Sequence, residues 1–307
     1  MTAKRLDFAY ETSFEQVLTN PTLDAAAALW EEGRYKAFQL FYRSMRIIDD
    51  IVDDFRCSPT KDSVSAANDI RIMLCEWLER IRSGAANSQF DTDFLEAIQV
   101  FRVPLWPWER LVNAMIFDLS HSEFATFREF LKYSEGASVA PASVFVHLCG
   151  VGGTGSIYSV PEFDVHRAAR PLAVFCYLTH ILRDFVKDQE RDLNYFPRDL
   201  VEAQDLNSTE LRRLAREKST DTRLTNLIVR YASIADRYGS RARLELDRIG
   251  RHLDKPYRLS LDVIHALYNE LLERVDRQHI CNPSRPVTIS SQEARQRIHQ
   301  IIGELDS

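Results

Sequence analysis

FYRSMRIIDDIVDD, residues 41–54, and HILRDFVKDQERD, residues 180–192, carry the strongest structural signal in this 307-residue sequence. Each stretch contains two aspartates four residues apart: Asp49 with Asp53, and Asp184 with Asp188. Residues at that spacing share one face of an α-helix, about one turn from each other. The pattern predicts two helices, each of which presents a pair of carboxylates on one side.

The aspartate pairs indicate a metal site. Two like charges at this spacing destabilise a helix by a few tenths of a kcal/mol. A divalent cation between them removes that cost, and Mg²⁺ prefers a few carboxylates together with phosphate oxygens of a substrate. Arg43 and Arg46 precede the first pair and Arg183 precedes the second. Because guanidinium groups bind phosphate oxygens through two parallel hydrogen bonds, the candidate ligand is a diphosphate held by metal and arginine.

Either acidic cluster alone is explained as easily by a solvated helix face with local ion pairs. Both clusters, however, follow strongly apolar segments, FQLFYRSMRII in the first case and LAVFCYLTHIL in the second. Carboxylates flanked in this way tend to face a cavity. The two clusters together therefore favour a site over a solvated surface.

Helical periodicity runs along almost the whole chain, and we find no convincing run of alternating strand residues. The sequence predicts an all-α fold with about ten helices. One helix is expected over residues 25–55, one ending at Gly84, one starting at Ser208 or Thr209, and a long one over 222–253. Since no internal repeat and no linker rich in Pro, Gly and Ser is present, residues 1–307 are expected to form one domain.

Composition excludes several classes of protein. A net charge of −6 with interspersed signs argues against a nucleic-acid surface, which requires a basic patch. Five scattered cysteines indicate a reducing compartment and no zinc site. The N-terminus lacks the apolar run of a signal peptide, and no apolar stretch is long enough to span a bilayer, so we expect a cytoplasmic protein.

GVGGTG, residues 150–155, resembles a phosphate-binding turn. The dinucleotide fingerprint requires a preceding strand and a βαβ unit, and the sequence predicts neither. We therefore expect a loop between two helices.

A departing diphosphate leaves an allylic carbocation, which needs a dry pocket. Aromatic faces stabilise such a cation by about 0.5 to 2 kcal/mol each, although most aromatic residues at helical spacing are core residues. The candidates are Phe41, Tyr42, Phe117, Tyr133, Phe145, Tyr177, Tyr195 and Tyr268.

Taken together, these features resemble those of the squalene/phytoene synthases, the head-to-head prenyl diphosphate condensing enzymes. The two aspartate stretches, KYSEGASVAPA around Tyr133 and ALYNELLERV occur in that family's order and spacing. The resemblance covers residues 23–275 and leaves 282–307 as a C-terminal tail and helix. It implies the class I isoprenoid synthase fold, a single-domain helical bundle with a central apolar cavity.

The resemblance implies an Mg²⁺-dependent prenyltransferase of isoprenoid biosynthesis. Such an enzyme joins two C15 or C20 prenyl diphosphates through a cyclopropylcarbinyl diphosphate, and its product is squalene, dehydrosqualene or phytoene. NADPH is needed if the product is squalene. Ala142 stands where the family has a smaller glycine, which favours C15 substrates.

Functional residues follow from the resemblance by position. The implied metal ligands are Asp49, Asp53, Asp184 and Asp188. The implied substrate-binding residues are Tyr42, Arg46, Arg183 and Tyr268, and we count Tyr177 and His180, ahead of the second cluster, among the substrate-binding candidates. Tyr133 and Tyr195 match tyrosines that line the cavity, and either is a candidate to assist proton transfer or diphosphate departure.

The chain departs from the family pattern ahead of the second cluster. Tyr177 and His180 stand where the family has a glutamine and a metal-binding asparagine. Because imidazole is a poor ligand for Mg²⁺, we expect His180 to contact diphosphate or a carboxylate. Near the N-terminus TNPTLD replaces a serine-rich diphosphate loop, with Asn20 and Thr22 as weak substitutes.

Two alternatives stay open at this point. The chain either passes the allylic cation to another acceptor, such as an aromatic molecule, or serves as a non-catalytic assembly factor on the same scaffold. Retention of the four aspartates speaks against a scaffold role. The expected partners are prenyl diphosphates, with transient membrane contact for a lipid product; the sequence leaves the oligomeric state open.

Overall fold

The structure is a computed structural model that describes residues 13–58, 63–121, 123–154, 157–284 and 287–305. The predicted all-α fold is confirmed: the described residues form fifteen α-helices and two short strands. In chain order the helices before the strands are α1 (Phe14–Val17), α2 (Pro21–Ala27), α3 (Glu32–Arg56), α4 (Val64–Arg82), α5 (Gln89–Val100), α6 (Trp106–Asp118), α7 (Phe127–Ser134) and α8 (Ala140–Gly150). After the strands come α9 (Val165–Arg183), α10 (Phe185–Glu190), α11 (Arg198–Glu202), α12 (Ser208–Arg216), α13 (Thr222–Ile249), α14 (Lys255–Arg274) and α15 (Ser291–Leu305).

The helix predicted over residues 25–55 is wrong, because the structure divides it into α2 and α3. The indole Nε1 of Trp30, in the connection, donates a 2.7 Å hydrogen bond to Ser260 Oγ on α14. That anchor holds the chain in a turn between the two helices, and it comes from a residue far away in the sequence. The helices are more numerous than the predicted ten partly because of such breaks.

Other predicted boundaries agree more closely with the structure. α4 ends one residue before Ser83, and Gly84 follows with a φ of +73°, a left-handed conformation that glycine adopts without strain. α12 begins at Ser208, and its N-cap is Asn207, one residue before the first of the two predicted caps, because Asn207 Oδ1 accepts a 3.0 Å hydrogen bond from the backbone N–H of Glu210. The long helix predicted over 222–253 is α13.

α9 lies at the centre of the molecule. It packs against α13, α8 and α14, and most of its side chains between Ala168 and Leu182 are buried. Gly239 on α13 allows α13 to pack closely against α9, since an added Cβ would lie 3.2 Å from the ring of Phe175 on α9. α9 therefore leads from the buried core to the second acidic cluster, whose first aspartate, Asp184, directly follows its last residue.

The GVGGTG stretch lies between α8 and α9, as predicted, but it is not a plain loop. Strands β1 (Gly152–Thr154) and β2 (Ile157–Ser159) pair antiparallel, with Gly153 opposite Tyr158. Gly153 has a φ of +93°. Gly155 lies outside the described residues, so the turn itself is not described.

The C-terminal helix α15 packs against α2 and α14. Arg274 on α14 binds Glu293 on α15 at 2.5 Å and the backbone oxygen of Thr288 at 2.9 Å. Among the described helices none combines the length and the apolar character that crossing a bilayer requires.

Candidate functional site

The first acidic cluster lies on one face of α3. Arg46, one turn before it, donates to Asp49 Oδ2 at 2.5 Å and also to Asp50 Oδ1. The side chains of Arg46 and Asp49 are 23% and 31% exposed, although the adjoining face of α3 is fully buried at Ile48 and Val52. The carboxylates therefore open onto a space beside the core.

The second cluster spans a helix junction, so the prediction of one continuous helix is wrong here. α9 ends at Arg183, and Asp184, with a φ of −94° and a ψ of 8°, connects it to α10. The backbone N–H of Asp188 still bonds to the carbonyl oxygen of Asp184 at 2.9 Å, which keeps the two residues one turn apart. At this junction Arg183 donates two hydrogen bonds to the carboxylate of the adjacent Asp184, from Nε at 3.0 Å and from Nη2 at 2.6 Å.

The two clusters face each other. Burial raises the pKa of Asp188 to about 7, and the negative charges of Asp184 beside it and of Asp53 on the other cluster add to the rise. Burial likewise raises the pKa of Asp49 to about 7, against the opposing effect of Arg46 and with a contribution from Asp53. Carboxylates that hinder one another's ionisation in this way surround a region of uncompensated negative charge.

The donor set of this region fits a hard divalent cation. All candidate donors are carboxylate oxygens, which Mg²⁺ prefers, and their crowded negative charge is what a cation would relieve. In the described part of the chain, no three His, Cys, Asp or Glu side chains converge on one point as a ready-made cage. Asp49, Asp53, Asp184 and Asp188 would therefore hold cations from two sides, with diphosphate oxygens completing the coordination.

Asp184 differs from the other carboxylates. Burial acts to raise its pKa, but the hydrogen bonds and positive charge of Arg183 outweigh burial and hold the pKa below its ordinary value. Asp184 is thus ionised at neutral pH even without a cation. Arg46 and Arg183 keep pKa values above the ordinary one, because the charges of their aspartate partners outweigh burial.

His180 is tied to two residues from distant parts of the chain. Asn20 Nδ2 donates to Tyr268 Oη at 2.8 Å, and Tyr268 Oη lies 2.7 Å from His180 Nε2. Burial, aided by Arg183, lowers the pKa of His180 to about 3, so the ring is neutral, and in the tautomer protonated at Nδ1 its Nε2 accepts from the tyrosine hydroxyl. The observed hydrogen-bond partner of His180 is thus the hydroxyl of Tyr268. A substrate-binding role for Tyr268, His180 and Arg183 stays a prediction.

The segment before α2 fixes the tyrosines of the site rather than leaving polar groups free. The backbone N–H of Thr19 donates to Tyr42 Oη at 3.1 Å, and Thr19 Oγ1 lies 3.0 Å from the same oxygen. Asn20 Oδ1 caps α2 by accepting from Leu23. Thr22 is buried. In the structure Asn20 thus holds Tyr268 and caps α2. The weak diphosphate-binding role of Asn20 and Thr22 stays a prediction.

A buried polar network adjoins the first cluster, and two of its members are absent from the sequence predictions. Tyr133 Oη donates to Asp118 Oδ2 at 2.5 Å, and Arg56 Nη1 lies 3.6 Å from the same carboxylate oxygen. Arg56 also donates to Tyr195 Oη at 3.2 Å. Burial raises the pKa of Asp118 to about 6 despite the charge of Arg56. One signal for Asp118 exists in the sequence: an acid at the end of the apolar stretch LVNAMIF.

The aromatic candidates separate into two groups. Tyr177 lies on the α9 face that also carries His180 and Asp184, stacked on Phe130 with ring centroids 5.6 Å apart. Phe41 instead packs edge-on against Phe94 and Trp108 in the outer core, so it does not belong with the site tyrosines.

Two further residues also lie apart from the clusters. Phe145 packs against Trp30 and Phe38. The guanidinium of Arg43 lies over the ring of Phe90, 5.6 Å from its centroid, on the side of α3 toward α5. Arg46, by comparison, contacts the carboxylates of Asp49 and Asp50.

Comparison with known proteins identifies the family. The family model described as squalene/phytoene synthase matches residues 20–292. The chain belongs to the squalene/phytoene synthase family. The enzymes of this family are prenyltransferases that use a divalent metal with diphosphate substrates.

Curated relatives are distant. The chain is similar to chloroplastic phytoene synthase 3 of Zea mays, at 25% identity over 204 residues that cover 62% of this chain and 42% of the relative. It is also similar to the chloroplastic phytoene synthase of Narcissus pseudonarcissus, at 28% identity over 55% of this chain and 38% of the relative. The chain thus matches about two fifths of the length of these relatives.

Solved structures share the fold over nearly the whole chain. A dehydrosqualene synthase in complex with ligand superposes with a TM-score of 0.73 at 17% identity, covering 98% of this chain and 96% of the other. Squalene synthase HpnC from Alicyclobacillus acidocaldarius has a TM-score of 0.70 at 15% identity, with coverage of 90% and 95%. The predicted isoprenoid synthase fold is confirmed.

Proposed function

We propose that the chain joins two prenyl diphosphates head to head, with Mg²⁺, through a cyclopropylcarbinyl diphosphate. The product is of the squalene, dehydrosqualene or phytoene type, and diphosphate is released. One observation carries the proposal: two aspartate pairs face each other, each with an arginine in contact, and burial together with the neighbouring aspartates raises the pKa of Asp49 and Asp188 to about 7. Family membership agrees with this chemistry.

In this proposal Arg46 and Arg183 exchange partners when substrate binds. Each guanidinium now bonds an aspartate, and each has the planar donor geometry to bond a diphosphate oxygen instead. The aspartates released by that exchange are then free to hold Mg²⁺, which supplies positive charge to the departing diphosphate. Tyr42 and Tyr268, fixed by Thr19 and Asn20, support the diphosphate end of the cavity.

C15 substrates are proposed because Ala142, partly buried against the core, is bulkier than the glycine that the family has at this position. We further propose that residues 1–307 act as one domain in the cytoplasm, with transient membrane contact when the apolar product leaves. NADPH is required only for a squalene product.

The proposal is tested by incubating the purified protein with farnesyl or geranylgeranyl diphosphate and Mg²⁺, with and without NADPH. Diphosphate release is measured, and apolar products are extracted and identified by mass spectrometry. We expect diphosphate release together with a C30 hydrocarbon from the C15 substrate. Release without any C30 or C40 product would instead support transfer to another acceptor, and no release with either substrate would refute every enzymatic role.

A further inference from the structure

The two aspartate clusters are carried by helices that have different neighbours. α3 packs mainly against α1, α4, α5, α6 and α8, whereas α10 packs mainly against α12. The charges of the clusters nevertheless act on each other, since Asp184 and, from the other cluster, Asp53 add to the rise that burial causes in the pKa of Asp188. Like charges that face each other repel. A contact that joins the two sides therefore bears on whether both can hold the same cations.

Arg56 makes such a contact. It is the last residue of α3, about one turn after Asp53, and its Nη1 donates a 3.2 Å hydrogen bond to the hydroxyl oxygen of Tyr195, which follows α10. The guanidinium carbon also lies 5.9 Å from the centroid of the Tyr195 ring. The side chain of Arg56 is 9% exposed. Because a hydrogen bond is stronger in such a buried setting than in water, it can link the two sides of the site.

The segment that carries Tyr195 is fixed to the second cluster. The backbone N–H of Leu193 donates to the carbonyl oxygen of Asp188 at 2.9 Å, and Gln189 Nε2 donates to the carbonyl oxygen of Leu193 at 3.3 Å. From α13, Tyr231 Oη donates to the backbone oxygen of Tyr195 at 3.2 Å. A displacement of Tyr195 would therefore strain the hydrogen bonds that hold Asp188.

Asp118 helps to hold Arg56 in place. Its Oδ2 lies 3.6 Å from Arg56 Nη1, and its side chain is 5% exposed. Burial acts to lower the pKa of Arg56, but Tyr195 and Asp118 outweigh burial and raise it, so the guanidinium stays charged. Burial raises the pKa of Asp53, and the charges of Arg46 and Arg56 oppose that rise. Arg56 thus also favours the ionised form of Asp53, which is the form that binds a cation.

We propose that Arg56 is a positioning residue, which holds the two aspartate clusters at the separation at which both bind one set of cations with diphosphate. It acts through α3 on the side of Asp53 and through Tyr195 on the side of Asp188. It does so from its buried place beside Asp118, without touching the diphosphate. This role rests on the proposed function, in which the clusters share one complex of metal and diphosphate.

The test measures binding apart from catalysis. Isothermal titration calorimetry with inorganic diphosphate in the presence of Mg²⁺ is performed on the wild type, Arg56→Gln, Tyr195→Phe and the double variant, and the melting temperature of each is measured without ligand. We expect each single variant to bind diphosphate at least about fivefold more weakly than the wild type. The double variant should bind no more weakly than Arg56→Gln, because both changes break the same contact.

Arg80→Gln is the matched control. Arg80 Nε lies 3.1 Å from Asp91 Oδ2, and their side chains are 20% and 3% exposed. This ion pair joins α4 to α5, two helices that carry no member of either cluster. Loss of a partner for the buried Asp91 should lower the melting temperature and leave the affinity for diphosphate at the wild-type value.

Each remaining outcome decides the matter. Wild-type affinity in both Arg56→Gln and Tyr195→Phe, at any melting temperature, would overturn the positioning role and leave the proposed function intact. Additive losses in the double variant would also overturn it, because they would show that Tyr195 acts on the diphosphate independently of Arg56. A wild type that does not bind diphosphate with Mg²⁺ would refute the proposed site, and the positioning role with it.

A second variant covers the case in which Arg56→Gln fails to fold. Arg56→Lys keeps a positive charge beside Asp118 but lacks the guanidinium donor to Tyr195. The same comparison with Tyr195→Phe and the double variant then decides, with the same expected result.

Discussion

Arg46 and Arg183 each bring a positive charge to the two aspartate clusters, where a diphosphate is proposed to bind. Each is about a quarter exposed and hydrogen-bonded to an aspartate of its own cluster. Because both pairs are partly buried, a bound diphosphate has to replace the hydrogen bonds that the arginines now make to aspartate. The arginines that neutralise the aspartates are thus the ones proposed to bind substrate.

A substitution at Asp188 tests whether the crowded negative charge of the two clusters destabilises the fold. Its pKa is raised from 3.8 to about 7 by burial, Asp184 and Asp53, so the folded chain binds this proton more tightly than the unfolded chain. The sign follows: the contribution of Asp188 to stability falls as pH rises from about 4 to about 7 and stays unfavourable above that. Asp188→Asn removes the unfavourable charge. We expect the metal-free variant to melt about 2 °C higher than the wild type at pH 8.

The control for that experiment is the same comparison near pH 4, where the carboxyl is protonated in the folded wild type. The difference in melting temperature should largely vanish there. A variant less stable than the wild type at pH 8 would show that Asp188 is held by favourable contacts, and that the facing clusters do not repel.

Among the helices, the junction between α9 and α10 determines how the side chains of the second acidic cluster are arranged. An uninterrupted helix would point adjacent residues about 100° apart, whereas the break at Asp184 lets Arg183 grip its neighbour with two hydrogen bonds. The spacing of Asp184 and Asp188 survives the break because one hydrogen bond of the helical pattern is kept.

The π-helical turn between α7 and α8, Glu135–Val139, approaches α6 closely enough to test by substitution. A Cβ on Gly136 would lie 2.3 Å from the backbone oxygen of Arg110 and 2.7 Å from Ala114 Cβ. Because backbone cannot move aside easily, Gly136→Ala should lower the free energy of unfolding by about 1–3 kcal/mol in a denaturant titration. Gly33→Ala in α3 is the control, since nothing lies within 4 Å of its added Cβ. Equal stabilities of the two variants would contradict this account of the packing.

At the scale of the whole molecule, the sequence predicts the site in part. Asp49 with Asp53, and Asp184 with Asp188, were predictable because four-residue spacing translates directly into one helix face. Asp118 and Arg56 were not, because each is a single charge whose partners come from other helices. The division of α2 from α3 depends on Trp30 meeting Ser260, a contact that no local pattern encodes. Local periodicity thus predicts elements, while contacts between distant elements complete the site.

The two aspartate clusters are proposed to form one site for metal and diphosphate. The most direct measurement is the rate of diphosphate release from farnesyl diphosphate with Mg²⁺ in Asp49→Asn and Asp184→Asn, beside Asp54→Asn, an exposed aspartate of the same stretch. The account predicts rates at least about tenfold lower in the first two variants, a barrier increase of roughly 1.4 kcal/mol, and an unchanged rate in the third. Wild-type rates in both Asp49→Asn and Asp184→Asn would contradict it.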